Sequence, residues 1–417
     1  MRKVAFYTFG CKVNQYETEN LKILARNAGF EIVPFGKEAD LIFINSCAVT
    51  HVAERKARRL INLIKNRFPN AKIALAGCYA ERLNLSSEKL VLDFVLDNKQ
   101  KWEFFGGSED STFVTSEDRA RAILKIQDGC NNFCTYCIVP YLRGRERSKP
   151  FDKVMEEAQK LVENGFKEIV LTGIRLGAYG RDLGDKDALS KLLLKLFEMD
   201  GLVKIRLSSI EPMDITEGLI KLADHPKLCK HWHIPLQSGD DEILKKMNRR
   251  YDTKYFEQIV YKLREKVPDV AITTDIIVGY PEESEENFNN TYLFAERMGF
   301  MRIHVFPYSP RPFTPAYKLK PLPYEVITKR KEKLIKLSND LWERYVSKFI
   351  EKELEVMVEE RKENLYRGTT DNYIKVEFES NLLLKEGEYI KVRLLKVDNK
   401  EEKVWGEVLE SKVKVTL

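Results

Sequence analysis

Cys130, Cys134 and Cys137 stand at C-x3-C-x2-C spacing in the run Ile126-Gln-Asp-Gly-Cys-Asn-Asn-Phe-Cys-Thr-Tyr-Cys-Ile-Val-Pro-Tyr141. Three thiols in so short a loop make a metal ligand set. A [4Fe–4S] cubane has four irons and normally takes four thiolates. Three thiolates leave one iron open to a ligand that is not protein. The competing readings are zinc, which wants a fourth Cys or His nearby, and buried thiols without metal. Between Met1 and Pro150 the only histidine is His51, so local zinc is poorly supplied. A basic run follows at Arg143, Arg145, Arg147 and Lys149.

A second set is spread through the first hundred residues. Cys11, Cys47 and Cys78 each follow a β-branched or aromatic run: Val4-Ala-Phe-Tyr-Thr-Phe, Ala39-Asp-Leu-Ile-Phe-Ile-Asn-Ser and Lys72-Ile-Ala-Leu-Ala-Gly. A helical pattern follows each cysteine. Alternating strands and helices predict a parallel sheet, and ligands of such sheets sit outside the carboxyl ends of the strands. The three cysteines are therefore expected to converge. One alone would read as a small buried hydrophobe; three at equivalent strand ends point to a second three-thiolate cluster with its own open iron. The helix after Cys47 carries Arg55, Lys56, Arg58 and Arg59, either a solvated face or a phosphate-contacting one. Residues 1–117 hold 17 Lys+Arg against 14 Asp+Glu, which does not decide between them.

From about Asp118 to Val346 helical and strand patterns alternate in about six β/α units. That suits a partial (β/α) barrel with its chemistry at the carboxyl ends of the strands. The polar strand ends are Thr172-Gly173, Ser209 with Glu211, His233 to Gly239, and Ile277-Val-Gly279. A lone His such as His233 is more often structural, and Cys229, without a partner at useful spacing, reads as a structural thiol. From Ser347 onward the period changes to two, with Gly368, Gly387 and Gly406 in or near the connections. This predicts a small antiparallel barrel. Residues 347–417 carry 14 Lys+Arg against 16 Asp+Glu, so RNA contact there must come from one face, around Arg367, Tyr373 and Lys375.

With 417 residues the chain suits two or three domains. Its net charge of +6 leaves nucleic-acid binding to local patches. No run reaches the ~18 apolar residues of a membrane span. The first residues lack the apolar core of a signal peptide. Seven cysteines without a targeting segment suggest a reducing cytoplasm.

The loop Cys130–Cys137 resembles the signature of radical S-adenosylmethionine (SAM) enzymes. In that family the open iron chelates SAM, and an electron from the cluster releases a 5′-deoxyadenosyl radical. The resemblance places Tyr136 by the adenine, Thr172 and Gly173 by the SAM amino group, Ser209 and Glu211 by ribose or carboxylate, and Ile277 and Gly279 on the adenine-contacting strand. The C-terminal part resembles a TRAM domain, an RNA-binding module. The whole order is similar to the methylthiotransferases, on Gly10-Cys-Lys-Val-Asn-Gln-Tyr-Glu17, Asn45-Ser-Cys47, Gly77-Cys78, Arg143-Gly-Arg-Glu-Arg-Ser148, His233 to Gly239 and Met247-Asn-Arg-Arg-Tyr251. Lys12-Val-Asn-Gln-Tyr-Glu looks like the branch acting on N6-threonylcarbamoyladenosine at tRNA position 37. That resemblance implies an α/β chain of three parts: residues 1–117 with an auxiliary cluster, 118–346 as the radical SAM core, and 347–417 as TRAM. It further implies two [4Fe–4S] clusters, SAM, an electron donor such as flavodoxin or ferredoxin, and a cytoplasmic monomer whose partner is the tRNA anticodon loop. Arg143, Arg145, Arg55, Arg58, Arg367 and Lys375 are its candidate substrate or RNA contacts. The rivals are the isopentenyladenosine branch, the branch acting on a ribosomal-protein aspartate, and a non-catalytic iron–sulfur RNA-binding protein. One departure stands out: Phe313 occupies a position where the family usually has Gly.

Overall fold

The computed structural model describes residues 1–86, 88, 90–109, 111, 119–398 and 401–409. The expected division at 117/118 lies outside the described residues.

The N-terminal part alternates β1 (Arg2–Thr8), α1 (Lys12–Asn27), β2 (Phe30–Ile32), β3 (Leu41–Ser46), α2 (His51–Arg67), β4 (Lys72–Gly77), α3 (Cys78–Asn84), β5 (Phe94–Val95) and α4 (Gln100–Glu103). The strands form one parallel sheet in the order β2-β1-β3-β4-β5. Every residue of β3 is buried, as both faces of a covered parallel sheet require. β1, β3 and β4 are neighbours, so the three cysteines that follow them emerge side by side.

The central part runs through β6 (Ala122–Asp128), α5 (Val139–Arg143), β7 (Arg147–Ser148), α6 (Phe151–Glu163), β8 (Glu168–Gly173), α7 (Ala188–Phe197), β9 (Lys204–Leu207), α8 (Glu217–Leu222), β10 (His231–His233), α9 (Asp241–Lys246), α10 (Thr253–Lys266), β11 (Ala271–Val278), α11 (Glu285–Met298), β12 (Arg302–Pro307) and α12 (Tyr324–Ser347). β6, β8 and β9 pair in parallel, as do β10, β11 and β12. A bridge between Ile205 and Leu228 joins the two halves. The result is an open barrel of six parallel strands, as expected. Asp252 caps α10, and a reciprocal Ser284–Asn287 capping box starts α11. The sequence reading missed α12. It buries Leu334, Leu337, Leu341, Trp342 and Tyr345 at helical spacing. No helix among the described residues is long and apolar enough to cross a membrane.

The last five strands, β13 (Glu353–Lys362), β14 (Leu365–Thr370), β15 (Lys375–Glu379), β16 (Tyr389–Asp398) and β17 (Lys403–Val408), close in the order β13-β14-β15-β17-β16. All pairs are antiparallel except β15 with β17. Trp342, Tyr345 and Val346 of α12 share one apolar cluster with this barrel and with Ala271 and Met301 at the amino ends of β11 and β12. Buried polar ties reinforce the junction. Glu168 accepts from Arg206 and Tyr389 and is ion-paired with Arg121, and Arg206 also donates to the carbonyls of Thr370 and Asp371.

Candidate metal centre and active site

Gly129 turns the chain out of β6 with φ +71°, and a Cβ there would meet the Arg145 carbonyl oxygen at 1.9 Å. Only glycine fits that approach. The loop behind it is anchored by Asn131 on Glu146 and by the Thr135 hydroxyl on the Lys246 carbonyl at 2.8 Å. Cys130, Cys134 and Cys137 all line a cavity of about 360 Å³ at the carboxyl ends of the strands. Tyr136, Gly173, Ser209, Glu211 and Ile277 line it too. Thr172 does not, and its side chain is buried beside a neighbouring cavity. Gly279 is also outside; its N–H donates to Glu283 at 2.8 Å in a turn held by Arg330. The lining residues not singled out from the sequence include Gln237, Arg249, Asp275 and Tyr308. Arg249 sits 3.3 Å from the Cys134 sulfur and is ion-paired with Glu211. Gln237 and Arg249 lay within quoted motifs, which was the available signal.

The second triad assembles as the topology required. Asn14 ties two of its loops together, donating to the carbonyls of Phe9 (2.9 Å) and Ser46 (3.1 Å). Gly77, at φ +83°, lets β4 turn directly into Cys78; a Cβ there would sit 2.4 Å from the Asn45 side chain. Cys78 is buried, whereas Cys11 is exposed and lines the same 360 Å³ cavity as Cys130, Cys134 and Cys137.

Three thiols to a site, with no histidine among the described residues that line the cavity of Cys130, Cys134 and Cys137, suit a three-thiolate cluster rather than tetrahedral zinc. Burial pushes Cys130 up to about 11. Burial and then the Cys78 charge push Cys47 up to about 12. Cys130 and Cys47 would therefore hold their protons at neutral pH unless a cationic centre replaced them. His51 starts α2, its backbone N–H donating to the Ser309 hydroxyl, and it does not line the cavity of Cys130, Cys134 and Cys137. Cys229 is buried beside Arg206, away from both triads.

The family described as Radical SAM superfamily matches residues 124–295, and the one described as Uncharacterized protein family UPF0004 matches residues 3–97. "Threonylcarbamoyladenosine tRNA methylthiotransferase MtaB" of Bacillus subtilis is 39% identical over 95% of this chain and 94% of its own. The protein of that name from Thermotoga maritima is 39% identical over 94% of each. The "tRNA-2-methylthio-N(6)-dimethylallyladenosine synthase" of Acetivibrio thermocellus is 34% identical over 93% of this chain and 87% of its own. The chain belongs to the radical SAM methylthiotransferase family. In fold it is also similar to the radical SAM methyltransferase TsrM of Kitasatospora setae, with TM-score 0.58 and 13% identity over 76% of this chain and 75% of that one. Membership carries with it a [4Fe–4S] cluster and SAM.

In this methylthiotransferase the two triads are joined through α5. Ile138, immediately after Cys137, and Leu142 are buried in the core of the N-terminal sheet beside Cys78, Tyr79 and Leu83. Each such burial contributes about 1.5–3 kcal/mol. Arg143, the last residue of α5, bonds Asn14 and Glu17 and reaches the Cys78 sulfur. Its guanidinium is fully enclosed, so it is an internal tie rather than the RNA contact expected of it. Glu17 also pairs with Lys101 and Lys125, and Asp128 with Lys125 and Arg147. Glu17 and Asp128 are thereby neutralised, and their carboxyls stay well below the usual range: each is opposed by its own desolvation but held down by the cations around it.

The other expected contacts lie elsewhere. Arg145 and Arg55 are exposed. Arg58 donates to the Tyr79 hydroxyl and Glu88. Arg367 pairs with Glu377, and Lys375 is exposed at the start of β15. None of these five lines the cysteine cavity.

Proposed function

We propose that this chain transfers a methylthio group to C2 of N6-threonylcarbamoyladenosine at position 37 of tRNA. The single observation that carries the reading is the opening of Cys11 into the cavity of Cys130, Cys134 and Cys137. Two three-thiolate sites bordering one space suit a reaction that needs a radical and a sulfur at the same carbon. Cys130, Cys134 and Cys137 would hold a cluster that, with SAM bound, would provide the radical chemistry needed at the adenine C2–H, which is beyond side-chain acid–base chemistry. Cys11, Cys47 and Cys78 would hold the second.

The protein's own residues position and shield. Arg249 and Glu211 fix the Cys134 side of the cavity, and Gly173 and Ile277 leave room for an adenine on its walls. The target base must be turned out of the anticodon loop to reach this depth. The threonylcarbamoyl branch is favoured by Lys12-Val-Asn-Gln after Cys11 and by the names of relatives at 38–39% identity. Division at 117/118 and 346/347, a flavodoxin- or ferredoxin-class donor, a cytoplasmic location and a monomeric state belong to the same reading. The test is mass spectrometry of tRNA nucleosides from cells with and without the gene. Loss of the 2-methylthio form of threonylcarbamoyladenosine on deletion is expected; loss of only the isopentenyl form would overturn the branch assignment.

A further inference from the structure

The cysteine cavity adjoins a second one of about 640 Å³, within the size range of small-molecule sites. The two share Cys11, Gly173, Ser209, Asp275 and Phe306 as walls. The second cavity is lined by all three parts of the chain: Lys12 and Gln15 on α1, the strand residues of the central barrel, and Tyr373 from the C-terminal barrel. Tyr373, at φ +69°, stacks on His231 with ring centroids 4.2 Å apart.

Several polar and charged groups of this cavity already have partners. Arg206 is engaged by Glu168 at 2.8 Å and by two carbonyls. Asp275 faces His233 at 3.2 Å. The other nitrogen of His233 and the Nε2 of His231 each lie 2.9 Å from the Thr273 hydroxyl. His231 is held neutral, by burial first and then by cations that include Arg206 and Lys12. Lys12 remains: it is exposed and forms no ion pair among the described residues. Lys12 is therefore an ammonium without a carboxylate partner among the described residues, in a cavity whose walls include several polar groups. An apolar substituent placed there would desolvate those polar groups without replacing their hydrogen bonds. A substituent ending in one carboxylate would complete the set.

We propose that Lys12 is the specificity-determining residue for the N6 substituent. Its ammonium pairs with the terminal carboxylate of the threonylcarbamoyl group, which lies in the second cavity while adenine C2 faces the first. The inference rests on the threonylcarbamoyl reading above and replaces Arg143 and Arg145 as the basic partner. Because Lys12 follows Cys11 directly, one turn carries both the charge that reads the substituent and a thiol that borders the reaction space.

The test measures binding to anticodon stem-loops bearing, at position 37, N6-threonylcarbamoyladenosine, its methyl ester or isopentenyladenosine, using the anaerobically reconstituted full chain. Iron content and circular dichroism verify that each variant is folded and loaded. Wild type is expected to bind the free carboxylate about tenfold or more tighter than the ester. Lys12→Met, which keeps the side-chain length, should bring the two to equal affinity, and Lys12→Arg should restore most of the gap. A carboxylate-to-ester ratio unchanged in Lys12→Met would overturn the inference while leaving the reaction intact. Wild type that methylthiolates the isopentenyl loop and not the threonylcarbamoyl one would overturn the underlying reading instead.

Discussion

The Nε of Arg143 lies 3.3 Å from the sulfur of Cys78, and its Nη1 rests on the carboxylate of Glu17. One guanidinium thus touches a thiol of the second triad and a buried carboxylate of α1 while sitting six residues beyond Cys137. Truncating it leaves Glu17 short of one of its three cationic partners. Breaking a buried pair from one side typically costs about 3–5 kcal/mol. Arg143→Met should lower the denaturation midpoint substantially, and Arg143→Lys should recover only part, since an ammonium cannot fork to Asn14, Glu17 and Cys78 together. A midpoint equal to wild type would remove Arg143 from the structural network.

The two triads should be separable by iron content. The reconstituted chain is expected to hold about eight irons, and the triple variant Cys130→Ala, Cys134→Ala, Cys137→Ala about four. Changing Cys11, Cys47 and Cys78 to Ala should also leave about four, retain reductive SAM cleavage and abolish thiomethylated product. Equal iron in either triple variant and wild type would contradict the assignment, as would collapse of SAM cleavage in the second variant while its remaining cluster is loaded.

Docking of the C-terminal barrel should weaken in acid through Glu168. Desolvation raises its carboxyl, but the charges of Arg206 and Arg121 outweigh that and hold it below its ordinary value. A depressed carboxyl stabilises fully above the unfolded value, about 4.3, and loses that contribution as pH falls through the folded value. The stability gap between wild type and Glu168→Gln should be largest above about pH 5 and shrink below about pH 4. Thermal melts of both proteins across that range check it; a gap independent of pH would show that the ionised carboxylate is not what holds the junction.

Phe313 adopts φ +71° and is 45% exposed. The left-handed region costs a side-chain-bearing residue about 1–2 kcal/mol, partly offset by the extra chain entropy of glycine. Phe313→Gly is therefore expected to stabilise by roughly 0.5–1 kcal/mol. Loss of stability in that variant would mean the ring makes packing contacts that outweigh its backbone strain.

The cysteines and the alternation of strands and helices were legible because both are local patterns. Convergence of Cys11, Cys47 and Cys78 followed from one rule about parallel strands. What escaped was non-local. Arg143 reads as part of a basic run until Glu17 and Cys78, 126 and 65 residues earlier, are seen to enclose it. α12 was readable in principle, with Leu334, Leu337 and Leu341 at helical spacing, but the lysines and glutamates between them mask the stripe. Lys12 was noticed as a marker of the branch; its unmatched charge appears only once Arg206 and Asp275 are seen to have partners from other strands.

The burial of Ile138 and Leu142 in the N-terminal core has a consequence for timing. The link that leaves Cys137 is itself part of the core that supports Cys78. Drawing the two sites apart would expose both side chains to water, so the gap between the sites is set by packing and not by a hinge. In a tool with fixed jaws the order of events has to be imposed by the workpiece: the arrival of the base in the gap, rather than a closing stroke of the protein, decides when the sulfur and the radical can act on one carbon.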